Sequence, residues 1–241
     1  PIVVWALGVH PERRTAAKTA QGGGPGGWKL SEGWRAIRDD RRILAMVVAQ
    51  IVVALACGAG FRTLTVYSMR TDWGLSSETA GTMMLATNGC MLVGNLLVAQ
   101  RATFRPRLSL AVGTVVRALS LFLLLAPSWP VFVAALAVGA VGEGAVVSTA
   151  VMMRVKFLPA EVLGRASGLL WLATGGAALL SPVVTPLLSE GIGARSAYAV
   201  LGLVTLPALA YLWRTWRSWD SAGAAGQEGT GYGDRAIQTA K

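Results

Sequence analysis

Long stretches of the sequence, such as Ile43–Phe61 and Ala118–Gly142, contain no charged residue at all. A helix needs about 20 mostly apolar residues to cross the hydrocarbon core of a bilayer, and both stretches have that length. Only 14% of the 241 residues are charged and 54% are hydrophobic, whereas soluble domains carry about 25% charged residues. The sequence therefore predicts a polytopic integral membrane protein.

Six hydrophobic segments are long enough to span the membrane, and turn-forming residues such as Pro106, Pro127 and Gly193 separate them. The predicted fold class is all-α, a bundle of six transmembrane helices within residues 43–213. The predicted spans are residues 43–66, 79–99, 108–126, 130–153, 166–188 and 196–213.

The segments outside this bundle differ from it in composition. Residues 1–9 are apolar but too short to span, and we interpret them as the remnant of a preceding transmembrane helix. Residues 10–42 contain a Gly-rich run at 22–27, which favours a flexible cytoplasmic linker. Apolar residues at helical spacing follow and predict an amphipathic helix, either on the membrane surface or in a solvated loop. Residues 214–241 are predicted to be a disordered cytoplasmic tail.

The positive charges alternate with the predicted spans. Eighteen of the 22 Lys and Arg residues fall in segments that lie on one side of the membrane, against only Arg70 and Arg195 on the other. Cytoplasmic loops carry the excess of Lys and Arg, so the linker and the C-terminus are predicted to be cytoplasmic. Because the net charge of +10 is divided among loops and does not form one patch, we expect no nucleic-acid partner.

No motif of an enzyme, a metal site or a cofactor site is found. The single histidine, His10, lies in the first loop, so a histidine-dependent triad or a zinc motif is missing. Cys57 and Cys90 both lie in apolar segments, where packing as free thiols is expected and a disulfide is not. We therefore expect no enzymatic activity, metal or cofactor.

Three ionisable residues lie inside predicted spans, namely Arg62, Arg117 and Glu143. Burying such a group costs about 2.5–3.5 kcal/mol at the centre of a helix on insertion scales, so each requires a partner or a function. Arg62 lies near the outer end of its span, where it either takes part in transport or extends to the lipid headgroups. Arg117 lies at mid-span and is assigned either a structural partner or a ligand.

Glu143 is flanked by Gly142 and Gly144, which leave room beside the carboxyl group for water, substrate or a neighbouring helix. Two interpretations stay open. Glu143 is either a proton-coupling group facing a cavity, or it pairs with Arg117, whose depth differs by only about 4–5 Å at about 1.5 Å of rise per residue.

Glycine recurs throughout the spans, and close helix packing is its default interpretation. Pro182 and Pro186 lie within one span and are predicted to bend it, because proline lacks an N–H donor and crowds the preceding turn.

Four passages together resemble the C-terminal half of a major facilitator superfamily transporter, of the bacterial drug and siderophore exporter branch that includes enterobactin exporters. The most specific passage is the loop at 158–168. The passages are Leu30–Arg35 with Arg38–Arg41, Trp73–Ser76 with Gly81, Gly89 and Gly94, Leu158–Gly168, and Gly175–Gly176 with Pro182 and Gly191. The loop at 100–107 departs from the pattern, since it keeps the basic residues but lacks the usual acidic residue and glycine.

The resemblance implies a twelve-helix transporter, of which the first six helices are absent from this chain. It implies proton-coupled efflux of a small molecule, such as a drug or siderophore, across the inner (cytoplasmic) membrane. Glu143 would line the cavity, and a cytoplasmic loop motif would comprise Pro159, Glu161, Gly164, Arg165 and Gly168. The alternatives are a non-transporting membrane scaffold or partner subunit and, less favoured by the residues present, an intramembrane enzyme.

Overall fold

A computed structural model describes residues 30–100 and 105–215, and these residues form helices without any strand. Six segments are long and apolar enough to cross a membrane, which confirms the predicted all-α bundle of six spans. The predictions for residues 1–9, for the Gly-rich linker and for the tail beyond residue 215 lie outside the described part of the chain. The helices are α1 Leu30–Asp39, α2 Arg41–Cys57, α3 Ala59–Thr71, α4 Ser77–Ala99, α5 Pro106–Leu123, α6 Trp129–Phe157, α7 Ala160–Ile192 and α8 Ala194–Thr215.

The first span differs from the prediction, because α2 and α3 form it together with a break at Gly58. The backbone of Gly58 is extended there, with φ −66° and ψ −164°. A side chain at this position would approach the carbonyl oxygen of Ala54 to 2.6 Å. The uncharged sequence predicted one continuous helix, since apolar composition does not reveal a local change of ψ.

Two helices begin at a capping side chain. The side chain of Asp40 accepts a hydrogen bond from the Arg42 amide at 2.8 Å and caps α2. Ser76 caps α4 in the same way. Only residues 158 and 159 separate α6 from α7, so this connection is shorter than predicted. The charged residues interpreted as loop residues lie instead in the last turns of α6 and the first turns of α7.

Helix α6 runs through the middle of one side of the bundle and packs against both α4 and α5. Glycines make these approaches close. A side chain at Gly94 of α4 would collide with the Val141 carbonyl of α6, and one at Gly144 of α6 would collide with the Met91 carbonyl of α4. The packing interpretation of these glycines is thus confirmed. Gly81, Gly89, Gly175 and Gly176 make no such approach, because among the described residues no atom of another helix lies within 4 Å of where a side chain would begin.

On the other side of the bundle, α2 packs against α7 and α8, and α3 packs against α7. Gly60 of α3 lies directly against Ser181 and Thr185 of α7. An aromatic cluster closes one end of the bundle, where the Phe61 and Phe132 rings lie 5.9 and 6.3 Å from that of Tyr198. Tyr198 is fully buried and donates a hydrogen bond to Ser68.

The connections gather at two ends of the bundle. At one end α1 packs on the start of α7, where Ile37 is buried and Glu32 pairs with Arg165. At the opposite end Arg195 lies 3.6 Å from Asp72. This arrangement agrees with the alternation of loops that six spans require.

Candidate functional site

An open groove of about 480 Å³ lies between α2, α3, α6 and α7. Its walls are mostly apolar, and the break at Gly58 lies on one of them. The polar or aromatic side chains that line it include Gln50, Arg62, Glu143, Trp171 and Thr174. A concave, largely apolar site with few polar groups is typical of small-molecule binding.

Glu143 lines this groove from α6 and is partly exposed. The glycines on both sides of it contact neighbouring helices, since Gly142 lies against α5 and Gly144 against α4. The room predicted beside the carboxyl group is thus occupied by helix backbones, and this close packing holds α6 in place. Among the residues that the structure describes, the carboxylate has no hydrogen-bond or ion-pair partner.

Arg117 is almost completely buried on α5, with an exposed fraction of 1%. Its Nε donates a hydrogen bond to Sγ of Cys57 at 2.6 Å, and its guanidinium lies 4.5 Å from the centre of the Phe61 ring. Its Nη2 has no partner within the described residues. The partner of Arg117 is therefore structural, as one interpretation held, but it is a thiol.

Within residues 30–100 and 105–215, no ion pair joins Arg117 and Glu143. The structure therefore does not form the pair that one interpretation proposed. Both side chains nevertheless border one small cavity of about 20 Å³, together with Cys57, Arg62 and Asn88. A cavity of that volume holds about one water molecule. The two charges are therefore near neighbours without direct contact.

Arg62 is exposed on α3, and its Nη1 donates a hydrogen bond to Oδ1 of Asn88 at 3.2 Å. It lines both the groove and the small cavity. The side chain thus turns across to α4 beside Glu143, whereas the snorkelling interpretation directed it along the helix to the headgroups.

Sequence reasoning missed a second polar contact beside the groove. Arg154 is buried, its Nη2 donates to the Gln50 side chain, and its guanidinium lies 5.6 Å from the Trp171 ring centre. Arg154 was counted as a loop charge because α6 was predicted to end at residue 153. Gln50 carried a signal, since it is the one amide side chain in the uncharged stretch 43–61.

The loop motif lies at the junction of α6, α7 and α1. Pro159 precedes α7, and Glu161 lies in its first turn. Arg165 pairs with Glu32 of α1. Gly164 and Gly168 have no atom within 4 Å of where a side chain would begin. The motif therefore contacts α1 through Arg165, and its two glycines lie beside open space.

Asp40 and Arg42 form an ion pair of 2.8 Å beside this junction, and Arg42 lies over the Phe157 ring at 4.4 Å. Partial burial of Asp40 acts to raise the pKa of its carboxyl group. The hydrogen bonds and positive charge of Arg42 outweigh that effect, so the pKa is below its ordinary value.

Pro182 and Pro186 lie inside α7, which continues from Ala160 to Ile192 through both of them. Ser181 and Thr185, beside the two prolines, are buried against the Gly58–Gly60 segment. The prolines therefore lie where α7 meets the broken first span.

No group of acidic, His or Cys side chains suited to a metal occurs in the described ranges. Comparison with curated proteins finds no match. The profile of the Major Facilitator Superfamily matches residues 46–231, which is more than half of the chain. The six membrane-spanning helices, the groove between four of them and this match lead to one conclusion: the chain belongs to the Major Facilitator Superfamily of membrane transporters.

Proposed function

We propose that this chain forms one six-helix half of a proton-coupled exporter of small molecules in the cytoplasmic membrane. The observation that supports the proposal best is the groove between α2, α3, α6 and α7, with the partner-free Glu143 on its wall. Secondary transporters bind substrate near the midplane between two structural repeats, often beside a discontinuous helix. The break at Gly58 lies on this groove.

A second six-helix domain would close the open side of the groove. In the part of the chain that the structure describes, the groove is open, and α7 exposes large apolar side chains beside it, including Trp171, Leu172 and Leu179. A groove formed by one six-helix domain alone cannot be exposed alternately to the two sides of a membrane. We therefore expect the chain alone to export nothing and the joined halves to export substrate.

Glu143 is proposed as the proton-coupling group. A carboxyl group that lines an open groove and has no fixed partner is able to gain and lose a proton as substrate and water exchange. Glu143→Gln would keep the shape of the side chain and remove its charge. In the complete transporter this change is expected to abolish proton-driven export while the protein remains in the membrane.

The experiment that tests the groove uses two adjacent glycines of α7. Gly175 lines the groove and Gly176 does not, yet neither has an atom within 4 Å of where a side chain would begin. We expect Gly175→Leu to fill the groove and block export by the joined halves, and Gly176→Leu to leave export intact. Membrane abundance of both variants checks folding. Equal export by the two variants, or robust export by this chain alone, would contradict the proposal.

The orientation of the chain is proposed from its charges. With an excess of Lys and Arg in the segments that lie on one side, both termini of the six-span domain face the cytoplasm. Reporter fusions at Gly24 and Ala222 should agree. Finding the two positions on opposite sides of the membrane would contradict an even number of spans.

A further inference from the structure

Cationic side chains outnumber anionic ones around the groove. Two guanidinium groups border the groove or the small cavity beside it, those of Arg62 and Arg117, against one carboxylate, that of Glu143. A third guanidinium, that of Arg154, donates a hydrogen bond to the groove-lining Gln50. In the part of the chain that the structure describes, no carboxylate oxygen lies within 4.0 Å of a nitrogen of Arg62, Arg117 or Arg154, which is the distance of an ion pair. This region of the bundle therefore carries excess positive charge.

Neutral groups orient all three arginines. The acceptors are the Asn88 amide for Arg62, the Cys57 thiol for Arg117 and the Gln50 amide for Arg154. Such acceptors fix the direction of a guanidinium without neutralising its charge. Arg117 Nη2 and Arg154 Nε are buried and lack any partner among the described residues. One carboxylate cannot compensate several cations, and buried cations are costly, so a further opposite charge is expected to enter the region.

The break in the first span adds to this positive potential. Helix α3 begins at Ala59, directly after the groove-lining Gly58, and has 13 residues. The amides of its first turn lack acceptors within their own helix, and the helix dipole places partial positive charge at that end. Arg62 lies in the same turn. An anion in the groove would therefore meet helix amides and a guanidinium on one wall.

We propose that the groove takes an anionic, partly aromatic small molecule, whose carboxylate or similar acidic group binds Arg62 at the start of α3. The proposal rests on the transport function proposed above and specifies its substrate class. A guanidinium fork matches a carboxylate with two parallel hydrogen bonds. Trp171, which is 66% exposed and lines the groove, supplies a flat apolar surface for the rest of the molecule. The groove volume of 480 Å³ suits a ligand of this kind.

The test measures binding of two probes that share a naphthalene ring and a similar size but have opposite charge, 1-naphthoate and 1-naphthylmethylammonium. The purified chain is reconstituted in phosphatidylcholine nanodiscs, and empty nanodiscs correct for partition into lipid. We expect 1-naphthoate to bind more tightly. Arg62→Gln should weaken its binding about tenfold or more, the value of a charge-assisted hydrogen bond, and Arg62→Lys should weaken it less.

Arg70→Gln is the matched control. Arg70 is also exposed on α3 but does not line the groove, so its loss should leave the affinity for 1-naphthoate unchanged. Tighter binding of the ammonium probe, equal binding of both probes, or equal losses in the Arg62 and Arg70 variants would overturn the anionic class.

Gly175→Leu separates this failure from failure of the proposed function. If the ammonium probe binds and Gly175→Leu abolishes its binding, the groove is still a binding site and only the charge of the ligand is wrong. If Gly175→Leu leaves the binding of both probes unchanged, the groove is not the site and both proposals fail.

Discussion

Two long helices of this bundle, α6 and α7, are both rich in glycine but use it in opposite ways. In α6, a side chain at Gly139, Gly142 or Gly144 would approach atoms of a neighbouring helix closer than 3 Å. In α7, no atom of another described helix lies within 4 Å of where a glycine's side chain would begin. These glycines are Gly164, Gly168, Gly175, Gly176 and Gly191. A glycine pattern in a membrane helix therefore marks either a close contact or an open space.

Because of this difference, α6 serves close packing and α7 lines the groove. The glycines of α6 let it lie directly against α4 and α5, which fixes the position of Glu143. The glycines of α7 leave its surface unoccupied where it lines the groove at Gly175. Only 22% of the most apolar stretch of α7 is buried in this structure, against 44% for α6. We expect substitution of these glycines to impair folding in α6, and substitution of Gly175 in α7 to impair only binding.

The sharpest test of this comparison replaces one glycine of each helix by valine. In Gly144→Val, the new side chain would collide with the Met91 carbonyl of α4, which is backbone and cannot turn away. Overpacking of this kind is expected to cost about 3 kcal/mol or more. Gly176→Val on α7 meets no atom within 4 Å and should retain wild-type stability. Membrane abundance and thermal unfolding measure both variants, and similar losses in the two would remove the distinction.

The second test concerns the buried contact between α5 and α2. Cys57→Ala removes the acceptor of Arg117 Nε and leaves a buried donor unsatisfied, which costs about 1–3 kcal/mol. Arg117→Met with Cys57→Ala should recover most of this loss, because neither polar group is then left alone. Cys90→Ala is the control, since Cys90 is a free, partly exposed thiol on α4. A thermal-unfolding cycle over these variants gives the coupling energy, and equal losses in the two cysteine variants would contradict the role of Cys57.

The same measurement decides between Cys57 and Glu143 as the partner of Arg117. Because Arg117 and Glu143 border one small cavity without direct contact, Arg117→Met and Glu143→Gln are expected to couple more weakly than Arg117→Met and Cys57→Ala do. Recovery of stability in that double variant would restore the ion-pair hypothesis instead.

Much of the fold could be predicted from the sequence because hydrophobic length and loop charge act locally. The uncharged stretches predicted the spans, whereas the caps at Asp40 and Ser76 were not predicted. The site was predicted only in part. Glu143 and Arg62 both line the groove, but their depth in a span did not reveal which faces of the neighbouring helices contact each other.

The remaining features of the site depend on contacts between distant segments. Arg117 was assigned to Glu143 from their depth along adjacent helices, whereas its partner Cys57 is 60 residues away in the sequence. Arg154 and Gln50 are separated by 104 residues. Such contacts follow from helix rotation and from the close approaches that glycines permit, and neither has a local sequence signal.

A smaller effect is expected at the start of α2, on the groove side of the bundle. Asp40→Ala removes the cap of α2 and should cost about 1 kcal/mol, whereas Asp40→Asn keeps the cap and should cost less. Because the pKa of Asp40 is lowered in the folded protein, its ionised form contributes stability above the ordinary pKa of 3.8. That contribution is lost as the pH falls below this value. Unfolding measured from pH 6 to pH 3 should show a weaker acid dependence in Asp40→Asn than in the wild type.

The smallest effect is expected where α1 contacts α7. It tests how little the ion pair between these helices contributes to stability. Glu32 and Arg165 keep 40% and 50% of their side chains exposed, and an ion pair at such a site contributes about 0–1 kcal/mol. Glu32→Gln should therefore change the melting temperature little, and high salt should remove even that change. Gly33→Leu is the contrast, because a side chain there would begin 3.1 Å from the Ala166 amide nitrogen and push α1 away from α7. Hydrogen exchange of the α1 amides should rise in Gly33→Leu and stay near wild type in Glu32→Gln. The reverse order would mean that charge, and not close packing, attaches this surface helix.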